Sequence, residues 1–220
     1  VELSDFCVEV TWFDFSSKTL TILSNQDCCF SYRDSIFKND LLNKGVITEV
    51  VLKLPKKWQA NLSYSGLNEL PLDTSARDVM NKVISLRQAK LPDPDKLPNA
   101  GSFFKNPIVS VDKLTSLKNI YPSIPFYSQD DGTVKLAAGW LIEQAGLKGY
   151  CKNHVGVHQH QALVLVNHES DYGKDILALA QFVQKQTYKK FEILLSPEVR
   201  MVTSHGERKF TDLPIVDWGK

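Results

Sequence analysis

The stretch Asn99-Ala100-Gly101-Ser102-Phe103-Phe104-Lys105-Asn106-Pro107 decides how this chain is read. It holds a small-residue turn, a hydroxyl, two aromatics, a cation and an amide. A half-buried strand alternates apolar and polar side chains, and this stretch does not. Its polar groups gather directly after Gly101, where the missing side chain lets backbone approach a ligand closely. A junction between loop and strand, with incidental polar residues, explains the same letters. The flanking sequence has to decide between the two.

Immediately upstream, Leu91-Pro92-Asp93-Pro94-Asp95-Lys96-Leu97-Pro98 carries three prolines. No helix continues through it, and it marks a domain boundary. Before it, residues 7–13 and 18–23 alternate at period two and read as a hairpin through Asp14 to Ser17. Ser24 to Asp27 suits a cap and a short helical turn. Residues 45–54 read as a third strand ended by Pro55. Residues 74–88 read as a helix with an apolar stripe of Ala76, Val79, Met80, Val83 and Leu86. After the boundary come a strand over 102–110, a helix near 112–120 and a helix over 136–145 stopped by Gly146. A continuous apolar strand over 162–167, a helix over 174–188 and a strand over 191–195 follow. The expected fold class is α+β, with a second half of about 100 residues, an ordinary domain size. The last twenty residues show little pattern.

With 220 residues the chain has room for one large domain or two small ones. A hydrophobic content of 43% and a charged content of 23% are ordinary for globular proteins. A net charge of +1 gives no general attraction to nucleic acid or an anionic membrane, so any anion must be held by a local cluster of cations. No apolar run is long enough to span a bilayer, and no signal-peptide pattern opens the sequence. The chain begins at Val1, not Met, and enters a strand-like run almost at once, so it reads as cut from a longer protein. Cys7, Cys28, Cys29 and Cys151 form no C-x-x-C pair. They are expected to be free, mostly buried thiols in a reducing cytoplasm.

Several groups carry candidate chemistry. Arg33, in Tyr32-Arg33-Asp34-Ser35, offers a fork for a carboxylate or phosphate, or else pairs with Asp34. Lys90 sits at a helix end, where it complements the helix dipole or contacts an anion at the domain boundary. His154 and His158 are four apart, but Val155-Gly156-Val157 is a poor helix and the glutamate of H-E-x-x-H is missing. A polar loop is expected there, with no metal. Ser102 lacks the G-x-S-x-G elbow of a hydrolase nucleophile. Neither G-x-G-x-x-G nor G-x-x-x-x-G-K-[ST] occurs. Glu198, in Pro197-Glu198-Val199-Arg200, lies at a strand exit and reads equally as a surface ion pair.

In combination these pieces resemble the UDP-N-acetylenolpyruvoylglucosamine reductase family, of the longer subclass with a tyrosine loop. The matching segments are Tyr32 to Phe37, Lys90 to Pro94, Gly101 to Pro107, Lys135 to Ile142, Gln161 to Asn167 and Pro197 to Arg200. The resemblance runs in order over nearly the whole chain. It implies a cytoplasmic, monomeric flavoprotein oxidoreductase of peptidoglycan precursor synthesis, and through it of cell-wall biogenesis, cell shape and division. It implies FAD reduced by NADPH, and hydride addition to UDP-N-acetylglucosamine enolpyruvate to give UDP-N-acetylmuramate. It also implies that Ser102 is the proton donor, Arg33 the anchor of the substrate carboxylate, and Glu198 the third catalytic group. The substrate contacts it implies are Tyr64, Lys90, Asn106, Tyr127 and Gln161. On this reading residues 1–90 are the last part of a flavin-binding domain and residues 91–201 a smaller mixed α+β substrate-binding domain. Residues 202–220 are a tail returning to an N-terminal lobe. The family's Gly-rich diphosphate segments would precede Val1. The alternative expectation is a non-catalytic UDP-sugar-binding fragment.

Overall fold

The computed structural model describes residues 2–216 and 218. The expectations for Val1, and for the tail at 217, 219 and 220, lie outside the described residues. The chain is α+β and divides into two compact units. Unit 1 comprises Val1–Tyr64 and Leu70–Ala76, and unit 2 comprises Ser65–Glu69 and Arg77–Lys220. The division lies upstream of the Pro-rich segment.

Unit 1 is built on an antiparallel sheet of β1 (Cys7–Asp14), β2 (Leu20–Ser24) and β3 (Gly45–Leu52), in the order β2-β1-β3. The expected hairpin forms, with Val10 opposite Leu23 and Trp12 opposite Thr21. Its turn is closed by Asp14 Oδ1, which accepts from the backbone N–H of Ser16 at 2.9 Å and of Ser17 at 2.8 Å. Period-two alternation buries Val10 and Trp12 on one face of β1, and an irregularity between Cys7 and Glu9 shifts the register so that the buried Cys7 joins Val10 in one cluster. The core there is small: Cys7, Val10 and Cys28, with Leu23 and Phe37 against them. On β2 and β3, Leu20, Ile22, Val46, Ile47 and Val50 are exposed. Of the four free thiols, Cys7 and Cys28 are buried while Cys29 and Cys151 are exposed. The expectation of mostly buried cysteines therefore holds for half of them. Cys29 lies in a surface turn with φ 48°, and Cys151 opens a short edge strand.

The second unit follows α1 (Ala76–Lys90), whose residues from Arg77 onward belong to it. The helix is where the sequence puts it, but its stripe is not buried. Met80 and Val83 are exposed, and only Val79 and Leu86 are half-buried. Downstream are β4 (Asn99–Ser102), β5 (Ile108–Val109), α2 (Val111–Ile120), β6 (Phe126–Ser128), β7 (Val134–Leu136) and α3 (Ala138–Gln144). Then come β8 (Cys151–Lys152), β9 (Val155–Val157), β10 (Val164–Asn167), α4 (Gly173–Phe191), β11 (Met201–Thr203) and β12 (Gly206–Arg208). One sheet runs β4-β10-β9-β8, a second β5-β7-β6, and β11 and β12 form a hairpin. β10 is central, as its unbroken apolar run requires, with Val164, Leu165 and Val166 buried on both faces. α4 packs across β9 and β10 through Ala178, Leu179, Ala180 and Val183. Leu136, Leu141, Ile142 and Leu195 fill the same core. Each fully buried aliphatic side chain of this kind contributes about 1.5–3 kcal/mol.

Two expected strands are corrected. The run 102–110 is split into β4 and β5, because Pro107 has no N–H to give a ladder and Phe103 and Lys105 donate elsewhere. Residues 191–195 form no strand: α4 continues to Phe191 and ends at Glu192 in the left-handed region, φ 56°. The alternation seen in sequence is nonetheless real. Phe191, Ile193 and Leu195 are buried and Glu192 and Leu194 exposed, along an extended segment whose Leu195 carbonyl accepts from Gln184 Nε2 at 2.7 Å.

Candidate functional site

Ser102 closes β4 and is placed by three local devices. Asn99 Oδ1 accepts from Gly101 N at 2.9 Å, folding the chain into a side-chain-closed turn. Gly101 adopts φ 72°, and a Cβ there would meet nothing within 4 Å. The backbone angle therefore favours glycine, which leaves open space beside the serine. Val164 of β10 pairs with Ser102 and fixes its register. The Ser102 side chain is exposed, while Phe103 and Phe104 beside it are buried and anchor it, their rings 5.1 Å apart.

Glu198 is brought to this strand by backbone hydrogen bonds. Glu198 N donates to Phe103 O at 2.8 Å, and Lys105 N donates to Ser196 O at 2.8 Å. Phe104 and Pro197 form an isolated bridge. These bonds put the exposed Glu198 across from Phe103, one residue from Ser102, although 96 positions separate them in the chain. That pairing was invisible in sequence, where Glu198 showed only a strand exit.

Asn106 and Gln161 gather at the start of α3. Asn106 Oδ1 accepts from Ala138 N at 2.9 Å and so serves as the cap that Ala137 cannot provide. Gln161 lies in the loop between β9 and β10. A Cβ at Gly139, in the first turn of α3, would come 3.3 Å from Gln161 Oε1 and 3.4 Å from Leu163 Cγ. The loop is tied to the serine strand, because Phe103 N donates to Leu163 O at 2.7 Å. It is also tied to itself: Gln161 N donates to His158 Nδ1 at 3.2 Å and His158 N to Val164 O at 2.9 Å. Burial holds the His158 imidazole below its usual 6.5, and His160 and His168 push the same way.

Tyr127 is exposed on β6, directly opposite Lys135 of β7, whose ammonium lies 5.9 Å from the phenol ring centroid. Lys90 is the exposed last residue of α1. Unit 1 holds the other two predicted residues. Tyr64 is 63% exposed. Arg33 is exposed in a tight turn in which Ser31 and Asp34 exchange backbone bonds of 3.1 Å. Its φ is 58°, a left-handed conformation uncommon for a non-glycine residue. Lys38 Nζ donates to the Arg33 carbonyl at 2.9 Å and braces the turn.

Unit 2 thus collects Ser102, Glu198, Asn106 and Gln161 onto one strand-and-loop system. A groove of about 1220 Å³ elsewhere in the unit, between α4 and residues 210–216 with Trp218, contains none of them. His154 sits in the β8–β9 turn at φ 60°, and no cluster of three metal-ligating side chains occurs among the described residues. Two residues that sequence reading left without a role stand out, His158 and Lys135. A side-chain acceptor three residues before Gln161 was the signal available for the first.

A family model described as UDP-N-acetylenolpyruvoylglucosamine reductase, C-terminal domain, matches residues 93–202, half of the chain. The chain belongs to this family. Its relatives carry the same name. The UDP-N-acetylenolpyruvoylglucosamine reductase of Pseudoalteromonas translucida is 46% identical over 214 residues, covering 97% of this chain and 63% of the relative. That of Shewanella oneidensis is 49% identical over 208 residues, covering 94% and 61%, and that of Yersinia pestis 45% over 208 residues, covering 94% and 60%. The chain therefore spans about three fifths of the curated relatives it matches. A solved UDP-N-acetylenolpyruvylglucosamine reductase from Thermus caldophilus superposes with a TM-score of 0.52 at 21% identity, over 89% of this chain and 52% of that one, which shows the shared fold. Among the described residues no helix is long and apolar enough to cross a membrane.

Proposed function

We propose that this chain is the substrate-binding and proton-donating part of an NADPH-dependent flavoprotein oxidoreductase. Its substrate is UDP-N-acetylglucosamine enolpyruvate and its product UDP-N-acetylmuramate, a step of peptidoglycan precursor synthesis. Residues 1–90 continue a flavin-binding domain, residues 91–201 bind substrate, and residues 202–220 are the tail. The backbone junction between Phe103 and Glu198 supports this reading, because it brings the segment that carries Glu198 against the end of the strand that carries Ser102.

Reduced FAD would supply hydride to the terminal enolpyruvyl carbon. The sequence of unit 1 holds no Gly-rich segment for its diphosphate. Gly45 is the one glycine of residues 1–64, and a Cβ on it would lie 2.2 Å from Phe13 O, so this glycine serves the sheet.

The chain's own residues fit the other half of the reaction. Adding hydride places carbanion charge on the carbon next to the substrate carboxylate, and preorganised cationic and hydrogen-bonding groups stabilise such charge. Arg33 holds that carboxylate with its fork. The Ser102 O–H donates its proton to the carbon. A hydroxyl is a weak acid, but a carbanion is a strong base, so tight geometry makes the transfer feasible. Glu198 polarises the hydroxyl and helps return a proton to the serine oxygen. Lys90 and the phenols of Tyr64 and Tyr127 suit the diphosphate. Asn106 contacts substrate through its amide nitrogen, since its oxygen holds α3. Gln161 supplies an amide to the uracil or sugar.

The test separates catalysis from binding alone. In the full-length flavoprotein, Ser102→Ala is expected to bind the UDP-sugar substrate within about threefold of wild type. Turnover should fall by at least about 10²–10⁴-fold, the usual contribution of a positioned proton donor. Equal loss of binding and turnover would contradict the assignment.

A further inference from the structure

We infer that His158 is a positioning residue, which holds Gln161 in its substrate-binding place by accepting the Gln161 backbone N–H on its Nδ1. The inference rests on the reading of Gln161 given above. Three bonds close the 158–164 loop on itself: His158 N to Val164 O at 2.9 Å, Val164 N to Gln161 O at 3.0 Å, and Gln161 N to His158 Nδ1 at 3.2 Å. The last is the only one of the three made by a side chain, and it fixes the residue whose amide lies against Gly139. Ala162 behind it is buried, and Leu163 O is held by Phe103 N. The two sides of the loop are therefore rigid, and Gln161 itself is oriented from the His158 side. The same loop leads straight into Val164, which sets the register of Ser102.

The bond requires a neutral ring with its proton on Nε2. His158 is half-buried, and the titratable groups facing it are His160, with ring centroids 5.6 Å apart, and His168, beyond the end of β10. Both are potential cations, and both disfavour a charged His158. With the folded value below 6.5, the stabilisation of the loop is fully present above pH 6.5 and is lost as pH falls through the lower folded value.

The experiment uses the full-length flavoprotein with the UDP-sugar substrate. His158→Leu keeps bulk and removes the acceptor. His158→Asn keeps an acceptor oxygen at the bond position of Nδ1. His158→Leu should raise KM about tenfold, the scale of one lost hydrogen bond to an ordered group, with kcat within about twofold. His158→Asn should return KM to within about twofold of wild type and abolish the rise in KM expected of the wild type as pH falls through the lowered His158 value. Wild-type KM in His158→Leu, or failure of His158→Asn to rescue it, overturns the inference. Gln161→Ala separates the two readings. If it raises KM while His158→Leu does not, His158 alone is misassigned. If neither changes KM, the Gln161 site is wrong as well.

Discussion

In the proposed function, Arg33 trades stability for chemistry. At φ 58° it occupies a conformation that glycine adopts without strain and that costs a non-glycine residue on the order of 1 kcal/mol. The turn around it, closed by Ser31 and Asp34 and braced by Lys38, would accept glycine. On the proposed function, a guanidinium that holds the substrate carboxylate is the reason arginine stands there instead. Arg33→Gly is accordingly expected to leave the urea midpoint of unfolding unchanged or raised, by about 0.5–1 kcal/mol of stability, while turnover of the full-length enzyme falls at least about a hundredfold. A variant that unfolds earlier would show that the side chain is structural. Gly101 is the converse case, a position whose φ of 72° and empty Cβ space leave no room for a stability argument favouring any other residue. That glycine and its serine were legible in sequence, because composition after a turn is a local signal. The strain at Arg33 was not, because backbone angles are set by the turn that surrounds it.

At the scale of elements, α3 depends on a residue it does not contain. Its own N-cap position is Ala137, which has no acceptor, and Asn106 reaches across to take the Ala138 N–H. Asn106→Ala should therefore destabilise the protein by about 1 kcal/mol in equilibrium urea unfolding, besides weakening substrate binding. Asn106→Asp, which retains the acceptor, should recover the stability. Local patterns located α1, α2, α4, the β1–β2 hairpin and β10 to within a few residues. They missed the β6–β7, β8–β9 and β11–β12 hairpins, whose strands are only two or three residues long and too short to show a period. The segment after α4 was misread for a related reason. Ile193 and Leu195 alternate because they are buried against the core, and burial period does not reveal whether a ladder partner exists. The apolar stripe of α1 was read correctly as a stripe, yet burial does not follow from it, since Met80 and Val83 are exposed.

At the scale of the whole molecule, the site is an assembly of distant sequence. Ser102, Asn106, Gln161 and Glu198 are joined by β-pairing, a cross-chain cap and a side-chain-closed loop, none of which leaves a trace in spacing. The residue types were legible through family resemblance, and the backbone contacts that bring their segments together became visible only in the fold. The claim that matters most is that Ser102 gives the proton after hydride has been delivered. The direct measurement is stopped-flow kinetics of the two half-reactions in the full-length Ser102→Ala flavoprotein. Reduction of the flavin by NADPH should proceed at close to the wild-type rate, and reoxidation by UDP-N-acetylglucosamine enolpyruvate should slow at least about a hundredfold. Equal slowing of both halves, or reoxidation at the wild-type rate, would contradict the account.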